Sequence, residues 1–220
     1  MAFQASALAD GSSCFNPEPP PLSELLLKPP CETCDETKAE LSELRVLESS
    51  RTEAQAKHAE GDHERSVSRF LGEMGIQVDE TRLGYADDFF RCIDKMVEHA
   101  VMPAKNEFRR TRPYKLPDNG LHPLKSIKPD DSPSYPSGHA AYGAVIGLVL
   151  AEMVPELRDR IYARIRDFGF SRMVSGVHFR SDVYAGQIAG ATLAASLQQS
   201  AEFQHDFERA KLGLRQAIGY

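Results

Sequence analysis

The sequence predicts an all-α protein, a compact helical bundle. Three observations predict it. Apolar residues recur at helical steps, as with Phe89, Ile93, Val97 and Val101. The segments that carry them are rich in Ala, Leu, Glu, Lys and Arg, the residues with high helix propensity. No segment alternates apolar and polar residues as a half-buried strand would, and no repeat is visible.

The elements follow in order. Residues 1–35 hold "NPEPPP" and "KPP" and read as a proline-rich, extended N-terminal segment. A helical domain over 36–220 follows. Its first stretch, "ETKAELSELRVLESSRTEAQAKHAEGDHERSVSRFLGEMG", is expected to form two helices broken at Gly61 and Asp62. "DDFFRCIDKMVEHAVMPAKNEF" is an amphipathic helix. "HAAYGAVIGLVLAEMV" is a buried one, and "PELRDRIYARIRDFGFSRMVSG" is a helix with Pro155 suited to its first turn. The segment from Ser181 to Ile218 supplies one or two more.

With 220 residues the chain is long enough for one domain with a sizeable core. Its 41% hydrophobic and 26% charged residues are those of a soluble globular protein. A net charge of −6 argues against a general nucleic-acid binder, although it permits a local basic pocket. Ala140–Ala151 is too short for a bilayer span, and Val183–Ala201 carries Gln187, Thr192, Ser196, Gln198 and Gln199, so no transmembrane segment is expected. "MAFQASALADGSSCF" has no charged start and no sustained apolar core, so as it stands it does not read as a signal peptide. Cys14, Cys31, Cys34 and Cys92 allow two disulfides in three pairings. Structural disulfides fit best. Inert thiols come next, and a redox or metal role for "CETC" last, because neither a thioredoxin-like context nor a second ligand pair follows.

Three stretches carry chemistry. In "KNEFRRTRP", Lys105 and Arg112 are seven residues apart, nearly two helical turns, so on a helix they point the same way. Pro113 puts Arg112 at the helix end. By itself, with Arg109 and Arg110 beside it, the stretch reads as a solvated basic face. In "PSGH", Ser137 is an N-cap, and the amides of Gly138 and His139 form an anion site at a helix N-terminus. In "SRMVSGVHFRSD", Ser171 and Arg172 precede His178 and Asp182, whose i to i+4 spacing on a shared helix sets a carboxylate beside an imidazole. A third metal ligand is missing near that pair in sequence.

Together, "K-x6-R-P … P-S-G-H … S-R-x5-H-x3-D" resembles in full the signature of the acid phosphatase and vanadium haloperoxidase superfamily, which includes the type-2 phosphatidic acid phosphatases. Eleven positions are specified, each met by chance at about 5%, which makes the match specific. "SYPSGH" and "LVLAEMVPE" look most like the soluble bacterial class A nonspecific acid phosphatases. Pro133 and Ala140 depart from that pattern, which usually has glycine and threonine there.

The resemblance implies a phosphomonoester hydrolase needing no cofactor and no metal. Lys105, Arg112 and Arg172 would surround the phosphoryl oxygens, with Ser137 and the Gly138 amide. His178 would attack phosphorus, Asp182 would hold His178 in its reactive form, and His139 would protonate the leaving group and then activate water. It further implies small phosphomonoester substrates, a homodimer and a periplasmic or secreted location with the signal removed. The alternatives are a vanadium-dependent haloperoxidase, whose known examples are much longer chains, and a non-enzymatic phosphate-binding protein, which would not need both histidines.

Overall fold

The computed structural model describes Cys14 and residues 18–127 and 130–220. Among them the secondary structure is helical: α1 (Leu22–Leu25), α2 (Asp35–Ser50), α3 (Glu53–Gly61), α4 (Val67–Gly72), α5 (Glu80–Leu83), α6 (Tyr85–Phe108), α7 (Gly138–Met153), α8 (Arg158–Val174), α9 (Arg180–Leu197) and α10 (Ala201–Ile218), with short 3-10 turns at Pro113–Lys115 and Pro155–Leu157.

The centre is α7, a helix without a polar face; twelve of its sixteen residues are buried. Small residues bring its neighbours close. A Cβ on Gly186 would stand 2.3 Å from the Ser137 carbonyl oxygen, and one on Gly190 2.3 Å from that of Ala141. These glycines let the backbone of α9 lie directly against α7. The crossing carries Asp182, near the start of α9, to Ser137, whose amide donates to the Asp182 carbonyl at 2.9 Å. On another side, Gly143 and Gly147 of α7 receive Phe168 and Ile165 of α8.

α6 buries Phe89, Ile93, Val97 and Val101 as its four-residue steps predict. α10 closes over it, with the Phe203 ring 5.3 Å from that of Phe89. No single helix among the described residues is long and apolar enough to cross a membrane; α7 and the segment Pro155–Val174 pass that test only together, across a 119° bend.

Two sequence expectations change. Residues 36–75 form three helices, because the chain also breaks at Thr52. There the Thr52 hydroxyl accepts from the Gln55 amide while the Gln55 side chain accepts from the Thr52 amide. That T-x-x-Q signal was present in the sequence. Within 18–34 the proline-rich segment is irregular, as expected, except for the single turn of α1; residues 1–13 and 15–17 lie outside the described residues. This segment is stitched to the body. Leu22 and Leu26 are buried in the main core, and Cys14 is disulfide-bonded to Cys92 of α6. The other disulfide joins Cys31 to Cys34, which resolves the open pairing.

Candidate active site

α6 ends at Phe108, and Arg109 takes a left-handed conformation (φ 52°) just after it. Lys105 is therefore on the helix, but Arg112 is on extended chain (φ −69°, ψ 148°) ahead of Pro113. The two meet in the same cavity through the loop that follows the helix, and the two-turn argument from spacing does not hold. Lys105 Nζ donates to the Pro133 carbonyl, one of the two positions that depart from the class A pattern. Arg112 is buried, and its guanidinium donates to the Ser132 carbonyl (3.0 Å), the Val177 carbonyl (3.2 Å) and the Asp130 carboxylate.

Ser137 caps α7 as expected. Its Oγ accepts from the Ala140 amide at 3.3 Å. The residue is fully buried and is not among those lining the cavity; capping uses only a lone pair, so the cap does not consume its hydroxyl hydrogen. Gly138 and His139, the first residues of α7, do line the cavity. His139 Nε2 lies 3.1 Å from the His63 carbonyl oxygen. A carbonyl can only accept, so Nε2 carries the proton and Nδ1 is left to exchange one. The His63 ring stacks on that of His139 with centroids 5.4 Å apart.

His178 lies outside α9, two residues before it. The expected shared helix is absent, yet the pair forms, with Nδ1 3.4 Å from Asp182 Oδ2. Asp182 reaches back to accept from the Phe179 amide at 2.8 Å, in the manner of an acidic residue in a first helical turn. Its Oδ2 also accepts from Ser134 Oγ at 2.5 Å, and that hydroxyl sits 3.4 Å from His178 Nδ1. On the other side of the ring, Nε2 is 3.2 Å from Arg112 Nη1. A guanidinium can only donate, so Nε2 carries no proton and accepts from Arg112, while Nδ1 holds the proton.

The cavity these groups bound is small, about 160 Å³, with Arg65, Glu98 and Met102 at its rim. Its electrostatics are one-sided. Burial, then the charges of Arg112, Lys105 and Arg172, push His178 well below the usual histidine range. Burial, Arg172 and Arg65 do the same to His139, against the pull of the His63 carbonyl. Burial and Arg112 bring Lys105 down to about 8. Arg172, near the end of α8, does not line the cavity, but it is brought down to about 10 by burial and by Arg112. Its Nε and Nη1 are buried without a hydrogen-bond partner among the described residues.

Sequence reasoning missed Ser134, Asp130 and Arg110. Ser134 sat inside the quoted "SYPSGH" without a role. Arg110 was read as part of a solvated face; it is buried, and it donates to Asp182 Oδ1 at 2.7 Å. No spacing signal marked it, because its partner is 72 residues away. The other departure, Ala140, is buried with Phe179 and Val183, away from the cavity lining. A larger groove of about 680 Å³ runs along α8 and α9 past Phe170 and Tyr184, but it contains none of the signature residues. A grouping with metal-like spacing, His58, Asp62 and Asp167, lies elsewhere and is already occupied by Arg164.

An unprotonated imidazole nitrogen, two cations (Lys105 and Arg112) and the N-terminus of α7 share one cavity, an arrangement with the chemistry to take an anion. Residues 93–205, just over half of the chain, match the PAP2 superfamily, and the chain belongs to that superfamily. Among curated proteins it is 37% identical over 119 residues to a non-specific acid phosphatase of Salmonella typhimurium, covering 51% of this chain and 46% of that one. It is 33% identical over 144 residues to an acid phosphatase of Zymomonas mobilis (65% and 54% covered). It is 34% identical over 131 residues to a non-specific acid phosphatase of Providencia stuartii (57% and 53% covered). The chain spans about half the length of the curated relatives it matches. Two solved structures share the fold at 19% identity. One is a transmembrane PAP2-type phosphatidylglycerolphosphate phosphatase from Bacillus subtilis (TM-score 0.54, covering 86% of this chain and 91% of that one). The other is a bacterial vanadium-dependent iodoperoxidase (TM-score 0.52, covering 82% and 51%). The expected all-α fold and the expected kinship with acid phosphatases both hold.

Proposed function

We propose that this chain is an acid phosphatase that hydrolyses small phosphomonoesters through a phosphohistidine, without a metal. The observation that carries the reading is the 3.2 Å contact of Arg112 with His178 Nε2, which assigns that nitrogen as the one without a proton; its lone pair accepts from Arg112 in the free protein and becomes available to phosphorus when the guanidinium turns to the phosphoryl oxygens. Lys105, Arg112 and Arg172 oppose the charge of a phosphoryl dianion, the work a metal ion would otherwise do. His178 Nε2 attacks phosphorus, and the bond from phosphorus to the ester oxygen breaks. The leaving oxygen takes a proton from His139. Water then attacks the phosphohistidine, His139 takes the water's proton, and the N–P bond breaks to release phosphate. In the free protein the site depresses both histidines; the bound dianion restores the proton on His139 while Arg112 keeps His178 bare. The two disulfides support an oxidising, periplasmic or secreted location.

The test is hydrolysis of p-nitrophenyl phosphate by the full chain across pH, with and without EDTA, beside a halide-oxidation assay with vanadate. We expect turnover on the acid side of neutrality, unchanged by chelator and inhibited competitively by vanadate. His178→Ala should lose about 10⁴-fold or more in kcat while helix content stays the same. A strict metal requirement, or acid-quenched enzyme that never carries labelled phosphate on His178, would falsify the mechanism. Halide oxidation without ester hydrolysis would replace the reading with the haloperoxidase one.

A further inference from the structure

Arg110 is a buried cation beside the site, in contact with Asp182, that the proposed chemistry does not use. It projects from the loop after α6 into the junction of α2 and α9. Nη1 donates to Asp182 Oδ1 (2.7 Å) and Ser181 Oγ (2.6 Å), and Nη2 donates to Glu40 Oε2 (2.8 Å). Its guanidinium lies over the Phe179 ring at 4.0 Å, which fixes its plane. Glu40 is held in turn, accepting from the Ser181 amide and hydroxyl. An ion chain therefore runs Glu40–Arg110–Asp182–His178, from the surface side of α2 to the attacking imidazole.

We propose that Arg110 is a positioning residue for the hydrolysis, resting on the phosphatase reading above: it clamps Oδ1 of Asp182 so that Oδ2 faces His178 and Ser134, and it shares the carboxylate's charge so that His178 feels only part of it. The division matters because His178 must act as an uncharged nucleophile in acid. A full carboxylate charge 3.4 Å from Nδ1 favours the imidazolium, which cannot attack. With Arg110 on one oxygen and Ser134 and the Phe179 amide on the other, Asp182 can orient the Nδ1 proton without drawing a second proton onto the ring.

The other charged groups facing His178 come from every packed element: Lys105 from α6, Arg112 and Asp130 from the loops, His139 from α7 and Arg172 from α8. Of these, the cations lower its affinity for a proton and Asp130 raises it. None of them touches Asp182 Oδ1 among the described residues, so the effect of Arg110 can be isolated. It also makes a prediction that a mere packing role does not. Removing the charge of Arg110 and removing that of Glu40 must move His178 in opposite directions, since Glu40 draws on the same guanidinium.

The experiment is an NMR pH titration of the His178 ring in the full chain, assigned against His178→Gln, with kcat/KM profiles alongside. Arg110→Gln should raise the His178 pKa by about one unit and move the acid limb of kcat/KM up with it. The Kd for inorganic phosphate should change by less than about threefold, because no phosphate contact is lost. Arg110→Lys should recover most of the shift, and Glu40→Gln should lower the pKa. If Arg110→Gln does not fold, the double variant Arg110→Gln, Glu40→Gln, which leaves no lone buried glutamate, should still show an upward shift, reduced by the loss of Glu40, because of the two only Arg110 touches Asp182. An unmoved His178 in a folded variant overturns the proposal, and so does a shift of the same sign in Arg110→Gln and Glu40→Gln. The titration needs no turnover. A wild-type protein that hydrolyses nothing thus sinks the phosphatase reading, while the NMR result still decides the role of Arg110.

Discussion

Ser171 and Arg172 are neighbours on α8, yet they serve two buried ionic regions of opposite kind. Ser171 Oγ donates to Asp62 at 2.7 Å. There Arg164 grips both carboxylate oxygens (2.5 and 2.8 Å), Arg69 adds a bond at 2.9 Å, and Asp167, Glu73 and His58 close the network. Burial pushes the Asp62 carboxyl up, but the hydrogen bonds from Arg164 and Ser171 outweigh it and hold the group below the usual carboxylate range. One residue on, Arg172 feels the cations Arg112 and Arg65 and, more weakly countering them, the carboxylates Asp62 and Asp130, with two of its donors unmatched among the described residues. The first region is balanced and complete; the second is positive and incomplete. Both are buried ionic clusters, so burial of charge alone does not mark a functional site. Unmatched buried charge is the better marker, because an unpaired buried cation is costly and perturbed charges cluster where a ligand can supply the missing partner.

The comparison breaks most sharply at Asp62. Asp62→Asn leaves Arg164 and Arg69 short of a buried counter-charge, and should cost about 3 kcal/mol of stability. Denaturant melts measure it. Inorganic phosphate binding by the folded variant should be unchanged, and a large loss of phosphate affinity would mean the two regions are one.

Arg172→Met should act in the reverse sense. Replacing an unpaired buried cation by an apolar side chain of similar length should raise stability by about 1 kcal/mol. It should also weaken phosphate binding by about tenfold or more, the value of a charge-assisted hydrogen bond. Calorimetry with and without phosphate reads both effects. A destabilised variant that still binds phosphate fully would place Arg172 with the structural cluster.

The last effect is a slope with pH. His139 and His178 are held below their unfolded values, so the unfolded chain takes up protons first as pH falls below about 6.5. Stability should then decline from that pH downward, and bound phosphate should offset the decline through His139. Asp62 is likewise depressed, but its contribution is lost only at lower pH, below the ordinary aspartate value. The double variant His139→Gln, His178→Gln should make the curve shallower between pH 6.5 and 4.5, with a remaining slope from the depressed His63, and leave the steeper fall below it. A wild-type curve already flat through that interval would show the two histidines titrating normally.

By itself the sequence determined the helices. The four-residue steps of α6 and the cap at Ser137 were legible, because local periodicity and residue type are written in neighbouring positions; the set Lys105, Arg112, His139, Arg172, His178 and Asp182 came instead from the resemblance of three separate motifs to one family signature. What it could not determine was which charge meets which. Arg109, Arg110 and Arg112 looked alike in "KNEFRRTRP". The fold exposes the first, ties the second to Asp182 and Glu40, and turns the third onto His178. Helical spacing lost its meaning at Phe108, where α6 ends, and again at His178, which precedes α9. Pairing of charges separated by some 70 residues follows from how closely α7 and α9 can approach and where the intervening loops return. That is a property of packing in three dimensions, so only the tertiary structure could decide it.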